Sequence, residues 1–328
     1  MSPVSLTARA ETWPLARPFA ISRGVKTEAR VVVAEVGDGS HRGLGECVPY
    51  ARYGETVEAV LAELEAMAEA VAGGLDRAEL RSAMPAGAAR NALDCALWDL
   101  EAKRSGQRAW DLAGLESPGA VVTAETLGID SPEAMGARAA ELAERPLLKV
   151  KVDAERVLER MTAVRVSAPT TRLVVDANEA WDIDLLREVA GPLAELDVEM
   201  IEQPLPAGDD AALAGFDSPV TLCADESGHG VDDLAGLAGR YRMLNIKLDK
   251  TGGLTAALDF AAAARAAGLE IMVGCMVGTS LAMAPALLLA ADAKVVDLDG
   301  PVWMAEDREA PLVFNNGVIQ PPPPELWG

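Results

Sequence analysis

Two lysines set two residues apart, Lys149 and Lys151, close the apolar run Pro146-Leu147-Leu148-Lys149-Val150-Lys151-Val152. On a β-strand alternate residues face the same way, so their ammonium groups project together, about 6.5 Å apart along the strand. Each raises the cost of the other's charge, and a partly dry cavity raises it further. This predicts a lowered pKa for at least one of them, and therefore a base. Two solvated lysines at an exposed strand end are the plain alternative, and the residues that follow argue against it.

Downstream, three short apolar runs each end in an acid: Val174-Val175-Asp176-Ala177-Asn178, Ile201-Glu202-Gln203-Pro204 and Cys223-Ala224-Asp225-Glu226-Ser227. Such a cluster repels itself without a cation. Carboxylate ligands with neither histidine nor cysteine among them indicate Mg²⁺, one ion per chain. A further run, Asn245-Ile246-Lys247, ends in a third lysine before Gly252-Gly253, and Asp297-Leu298-Asp299 places two carboxylates on one strand face, suited to a cation belonging to a substrate.

The elements that must position these groups alternate. β-rich runs at Val121-Val122, Leu147 to Val152, Leu173 to Asp176, Glu199 to Glu202, Val220 to Asp225, Met243 to Leu248, Glu270 to Gly274 and Val295 to Asp299 recur roughly every 25 residues, nearly all followed by helical patterns. That spacing fits a (β/α) barrel, whose functional groups gather at the C-terminal ends of its strands. Counted around the ring, the runs carrying Lys151 and Lys247 are the second and sixth, diametrically opposed, with the three acids between them. Residues 1–118 read instead as a separate α+β unit. They contain a hairpin from Arg30–Val36 to His41–Cys47, a helix from Glu55 to Ala72 stopped by Gly73-Gly74, and a second helix from near Pro85 to Gly106. Its loops Ser22 to Lys26 and Pro49 to Gly54 are rich in groups able to meet a ligand. The barrel is expected over 119–300, and 301–328 is expected to pack back on the first unit.

Composition narrows the function. A net charge of −22 on 328 residues argues against nucleic acid or an anionic membrane as partner. Two histidines, His41 and His229, nearly exclude imidazole chemistry. Four scattered cysteines and no leader-like segment make a reducing cytoplasm the expected compartment. The uncharged stretch Ile271 to Ala291 carries Gly274, Gly278 and Pro285, so it reads as strand, loop and helix, not a membrane span. No glycine-rich phosphate loop supports a dinucleotide.

Taken together, Lys149-Val150-Lys151, Asp176-Ala177-Asn178, Ile201-Glu202-Gln203-Pro204, Ala224-Asp225-Glu226-Ser227, Asn245-Ile246-Lys247 and Gly274-Cys275-Met276 resemble the enolase superfamily, muconate-lactonizing-enzyme subgroup, over essentially the whole chain. The resemblance implies a modified TIM barrel, (β/α)7β, under an N-terminal α+β capping domain. It implies Asp176, Glu202 and Asp225 as ligands of Mg²⁺, Lys151 and Lys247 as the two acid/base groups, and Lys149 in support of Lys151. Within the subgroup, Asp297-Leu298-Asp299 resembles the motif with which dipeptide epimerases bind the substrate ammonium. Ile21 to Gly24 and Gly45 to Glu55 resemble the capping loops of L-Ala-D/L-Glu epimerases, which makes Arg23 the partner of a glutamate side chain and Tyr50 a neighbour of the substrate. Gly274 to Gly278 departs from the pattern, placing glycine where many relatives carry an acid.

The activity so implied is 1,1-proton transfer at the carbon beside a carboxylate, through an enediolate, epimerising L-Ala-D/L-Glu in the recycling of cell-wall peptides. The partner is then a small dipeptide, and assembly into a homo-oligomer is left open. N-acylamino acid racemisation, muconate cycloisomerisation and o-succinylbenzoate synthesis share the intermediate, but their substrates lack the ammonium that Asp297 and Asp299 suit. A non-catalytic Mg²⁺-dependent peptide binder needs neither Lys151 nor Lys247.

Overall fold

The computed structural model describes residues 4–328. Strand β1 (Ser5–Ile21) pairs antiparallel with β2 (Gly24–Gly37), and β2 with β3 (Arg42–Cys47). The β2–β3 hairpin matches expectation, whereas β1 was not foreseen. It is an edge strand whose register breaks between Pro14 and Phe19, and prolines are tolerated there because an edge leaves amide positions unpaired. The supposed loop Ser22 to Lys26 is therefore the tight tip of this hairpin, with Val25 and Lys26 already in β2.

Four helices pack behind the sheet. The stretch expected as one helix divides at Met67 into α1 (Val57–Ala66), capped by the Thr56 side chain, and α2 (Ala68–Ala72). Helix α3 (Arg77–Ala83), opened by an Asp76/Glu79 capping box, was also not foreseen. Helix α4 (Ala88–Ser105) ends where Gly106 adopts the left-handed conformation. It lies so close on β3 that a Cβ at Gly45 would stand 2.1 Å from the Ala92 carbonyl oxygen. A short α5 (Ala109–Leu112) follows.

The second unit is an eight-stranded parallel sheet in the order of the chain. Strand β4 (Val121–Val122) stands outside it. The ring runs β5 (Glu125–Leu127), α6 (Pro132–Glu141), β6 (Leu147–Lys151), α7 (Val157–Ser167), β7 (Arg172–Asp176), α8 (Ile183–Glu195) and β8 (Val198–Glu202). It continues with β9 (Thr221–Ala224), α9 (Leu234–Leu237), β10 (Met243–Ile246), α10 (Leu248–Thr251), α11 (Leu254–Ala266), β11 (Glu270–Gly274), α12 (Ser280–Ala286) and β12 (Val295–Asp297). Ala124 N–H donates to the Val296 carbonyl (2.8 Å) and Leu298 N–H to Thr123 Oγ1 (2.9 Å), closing first strand to last. Val121-Val122, expected as the first barrel strand, pairs instead with β14 of the small hairpin β13 (Phe314–Asn315) and β14 (Val318–Ile319). Two adjacent valines signal a strand without saying which sheet receives it.

Strand alternation now sorts the side chains. Leu148 and Val150 point outward into the apolar layer under the helices, while Leu147 joins Ala124, Val174, Met200, Cys223, Met243, Met272 and Val295 in a dry plug inside the barrel. Inward positions above that plug carry the charges. The last residues return to the first unit: Trp327 Nε1 donates to the Cys95 carbonyl (3.0 Å) and Gly328 N–H to Asp99 Oδ1 (2.7 Å). Among the described residues no helix is long and apolar enough to cross a membrane.

Candidate active site

Lys149 and Lys151 stand two and four positions above Leu147, on the inward face of β6. Register sets the acids beside them. Lys151 pairs with Asp176 and Asp176 with Glu202, while Glu202 pairs with Cys223, two residues before Asp225. Lys247 follows β10 directly, across the ring from β6. All six side chains are buried.

Their charges interlock. Lys151 Nζ donates to Asp176 Oδ2 (2.5 Å) and Asn178 Oδ1 (3.1 Å), and Lys247 Nζ to Asp225 Oδ2 (2.6 Å). Lys149 Nζ donates to Asp297 Oδ2 (2.7 Å) and lies 3.0 Å from Asp176 Oδ2. It is also 2.7 Å from Glu202 Oε2, but without hydrogen-bond alignment, so that oxygen is buried with no bonded partner. Lys149 therefore acts as a hub between Asp297 and the metal-type acids. Lys149 and Lys151 approach the same Asp176 oxygen with their ammonium groups.

These contacts run against the expected lowering of a lysine pKa on this strand face at Lys149. Burial works to lower Lys149, but Asp297, Glu202 and Asp176 overrule it and hold it well above the ordinary value. Lys247 is likewise raised despite burial, chiefly by Asp225. Two lysines on one strand face repel, yet each has a carboxylate oxygen within 2.7 Å. The acids divide. Burial raises Asp176 and Asp225, but Lys151 and Lys149 hold the first below the usual range, and Lys247 and Lys250 the second well below it. Glu202 is pushed up to about 7 by burial and by Asp176.

As the side chains stand, no three His, Cys, Asp or Glu among the described residues form a ready cage, because the carboxylates are turned onto ammonium groups. The donor set nonetheless fits a hard divalent cation: three buried carboxylates from adjacent strand ends, one keeping an unbonded oxygen, with no histidine or thiolate among them.

Residues to which the sequence assigned no role hold these groups in place. Lys250, one helical turn after Lys247, donates to Asp225 Oδ1 (2.8 Å), to the Asp225 carbonyl and to the Asn245 carbonyl (3.0 Å). Asn245 Nδ2 donates to Glu202 Oε1 (2.6 Å), and Gly274 makes room, since a Cβ there would lie 2.5 Å from Asn245 Oδ1. Gln203 sits at φ 32°, a strained value for a residue other than glycine. Its amide locks it there, the oxygen accepting from Asp225 and Ser227 N–H and the two N–H shared among the Leu205 carbonyl, Ser227 Oγ and Tyr241 Oη. Lys250 carried a local signal in its i+3 spacing from Lys247; the amide roles carried none.

At the eighth strand, Asp297 commits Oδ2 to Lys149 while Oδ1 is buried and unpartnered. Asp299 Oδ2 accepts from Thr126 N–H (2.7 Å) and Trp303 Nε1 (3.2 Å), and burial with Asp297 alongside pushes its pKa to about 6. The glycine at position 278 faces an acid after all. Glu46 of β3 accepts from Thr279 N–H (2.8 Å) and Oγ1 and from Arg308 Nη2 (2.6 Å), so the capping unit supplies the carboxylate that holds this loop.

The mouth is capped from the first unit. Arg23 Nη2 donates to Glu226 Oε1 (2.8 Å) and Tyr50 Oη (2.9 Å), and its Nη1 to Glu179 Oε2 (3.2 Å) and the Asn178 carbonyl (3.1 Å). Arg52 forks onto Glu179 with two bonds of 2.8 Å. Beneath lies a cavity of about 60 Å³ lined by Lys149, Lys151, Asp225, Lys247, Asp297 and Asp299. Ligand pockets run to roughly 300–1,000 Å³, so the cap must shift to admit a substrate. A larger cleft of about 1020 Å³ shares Tyr53 and Glu226 with the cavity wall but is lined by none of Lys149, Lys151 and Lys247, which line the smaller space.

Residues 3–114 match the mandelate racemase / muconate lactonizing enzyme N-terminal domain, and residues 134–325 the enolase C-terminal domain-like family. The L-Ala-D/L-Glu epimerase of Escherichia coli K12 is 50% identical over 94% of this chain and 97% of its own. An N-acetyl-D-glutamate racemase of Pseudoalteromonas is 45% identical over 91% and 95%. The crystal structure of an enolase family member from Agrobacterium tumefaciens, with homology to dipeptide epimerases and with bound sodium and L-Ala-L-Glu, matches with a TM-score of 0.97 and 52% identity over 99% of this chain and 100% of that one. A dipeptide epimerase from Enterococcus faecalis, complexed with Mg and L-Leu-L-Tyr, matches with a TM-score of 0.91 and 28% identity over 98% and 97%.

Proposed function

The chain belongs to the mandelate racemase / muconate lactonizing enzyme family of enolase-like proteins, and on that premise we propose that it is a Mg²⁺-dependent epimerase of dipeptides whose second residue is acidic, L-Ala-D/L-Glu foremost. The observation that carries this reading is the pair Lys151 and Lys247 on opposite strands of one ring, each on an acid of the set between them.

Asp176, Glu202 and Asp225 would hold the cation, which when bound supplies positive charge for a substrate carboxylate and for the negative charge gathering there as the α-proton leaves. Lys151 and Lys247 stand to either side of the bound carbon. The lysine that takes the proton from one face must do so as the neutral amine, while the other delivers a proton from its ammonium to the opposite face, so the configuration inverts. Asn178, bonded to Lys151, orients one ammonium, and Asp225 the other. Asp297 lines the same cavity and keeps one oxygen unpartnered, which suits the N-terminal ammonium of a dipeptide, with Asp299 adding charge. Arg23 and Tyr50 close the mouth over the second side chain.

Its test is solvent-proton exchange: L-Ala-L-Glu and L-Ala-D-Glu incubated in D₂O with Mg²⁺ should each take deuterium at the glutamate α-carbon and interconvert, and a chelator should stop both. No exchange with any dipeptide overturns the reading. The similarity to an N-acetyl-D-glutamate racemase favours one second reading, racemisation of N-acylated amino acids. An acyl group leaves the Asp297 oxygen without a cation, so the dipeptide is preferred. Faster exchange with N-acetylglutamate than with Ala-Glu reverses that choice.

A further inference from the structure

The cations around the catalytic cavity are not equivalent. Lys149, Lys151, Lys247 and Arg23 each lie within 2.8 Å of a carboxylate oxygen. Lys26 also lines the cavity, yet among the described residues its side chain has no hydrogen bond or ion pair, and its Nζ stands 5.3 Å from the centre of the Tyr50 ring. It sits in β2, across the hairpin from Phe19, with Arg23 at the tip three residues away. Burial of its ammonium and the neighbouring Arg23 charge both lower its pKa, which marks a positive charge lacking compensation. The residue as a whole stays open to solvent, so an anion can reach it from the mouth.

We propose that Lys26 receives the side-chain carboxylate of the substrate's second residue, and so sets the preference for an acidic residue there; this rests on the dipeptide reading above. Arg23 alone fits the task less well. Its guanidinium already serves Glu226, Glu179, Tyr50 and the Asn178 carbonyl. A carboxylate that took Arg23 for itself would strand Glu226, whose side chain is 1% exposed and whose other oxygen has no partner. Leaving a buried charge unpaired is strongly unfavourable. Lys26 gives up no ion pair, only its place over the Tyr50 ring. A carboxylate bound to it replaces the repulsion between Lys26 and Arg23 with attraction to both, while Arg23 keeps its protein partners.

The measurement is the ratio of kcat/KM for L-Ala-L-Glu to that for L-Ala-L-Met, taken on the Mg²⁺-loaded full-length protein and its variants. Lys26→Met should lower the ratio about tenfold to a hundredfold, the loss of one charge-assisted contact, mainly through KM for the acidic substrate. Lys26→Arg should keep the ratio within a few-fold, and Lys26→Glu should shift preference toward L-Ala-L-Lys. Turnover of L-Ala-L-Met by each variant reports that it is folded. A parent without preference for glutamate, or a Lys26→Met ratio within about twofold of the parent while Arg23→Ala loses the preference, overturns the assignment of Lys26 and leaves the epimerase reading standing. A parent that exchanges the α-proton of no dipeptide removes both.

Discussion

Replacing Asp249 with asparagine should stabilise the folded protein, and by more as the pH rises. Asp249 lies at the joint between the two units, buried but at the edge of the larger cleft. Its Oδ1 accepts both the Val48 N–H (3.1 Å) and the Asn91 Nδ2 (2.8 Å) of the capping unit. Burial, reinforced by Glu55 and Glu46 and only partly offset by these two donors, pushes its pKa from 3.8 up to about 7. Below pH 3.8 the group is protonated whether the chain is folded or not, and its contribution to stability is fully present. Between 3.8 and 7 the unfolded chain has released the proton while the folded one retains it, so stability falls by about 1.4 kcal/mol per pH unit. Above 7 the loss is complete, about 4 kcal/mol in all. Asparagine keeps a carbonyl oxygen for both donors and carries no charge to desolvate. Urea unfolding of parent and variant at pH 5, 6, 7 and 8 checks this, because titration of groups that do not interact with Asp249 cancels in the difference. The stability gap should widen up to about pH 7 and then level off. A gap that is constant, or that narrows as pH rises, refutes the burial argument.

Other expectations concern the chemistry. Asp176→Asn, Glu202→Gln and Asp225→Asn should each weaken Mg²⁺ binding in calorimetry and nearly abolish turnover, with far-ultraviolet circular dichroism unchanged; full activity in a metal-free preparation would be incompatible with this ligand set. Lys151→Ala and Lys247→Ala should each stop epimerisation, yet each should retain slow deuterium exchange with one epimer only, the two variants preferring opposite epimers. Near-parental interconversion by either variant dismisses the two-base assignment. Asp297→Ala should lower kcat/KM for free dipeptides by roughly tenfold to a hundredfold relative to N-acetylated amino acids, the worth of one contact between charged groups. An equal loss on both would assign Asp297 to holding Lys149 alone.

The chemistry was legible in the chain because a strand has a period of two and ends abruptly. Lys149 with Lys151, Asp297 with Asp299, and acids closing three successive apolar runs announce one inward face and one mouth before any contact is known. The alternation of runs with helices was enough for the barrel and for the opposition of Lys151 to Lys247. Local pattern failed where it is weak or shared. β1 interleaves small and polar residues and contains prolines, and Val121-Val122 carries the strand preference that the true first strand, Glu125–Leu127, lacks.

Only the folded chain decided how the charges pair. Whether a lysine among acids gains or loses basicity depends on distances between residues far apart in sequence: Lys149 meets Asp297, 148 positions away, at 2.7 Å, and that contact with its neighbours reverses the shift expected from two adjacent ammonium groups. In the same way Glu46 reaches Thr279 across the joint between units, and Arg23 is bound by Glu226 while Lys26 is left without an anion. Residue types and spacing depend on the local geometry of the backbone. Electrostatic balance is a sum over the whole assembled site, and no stretch of chain contains its terms.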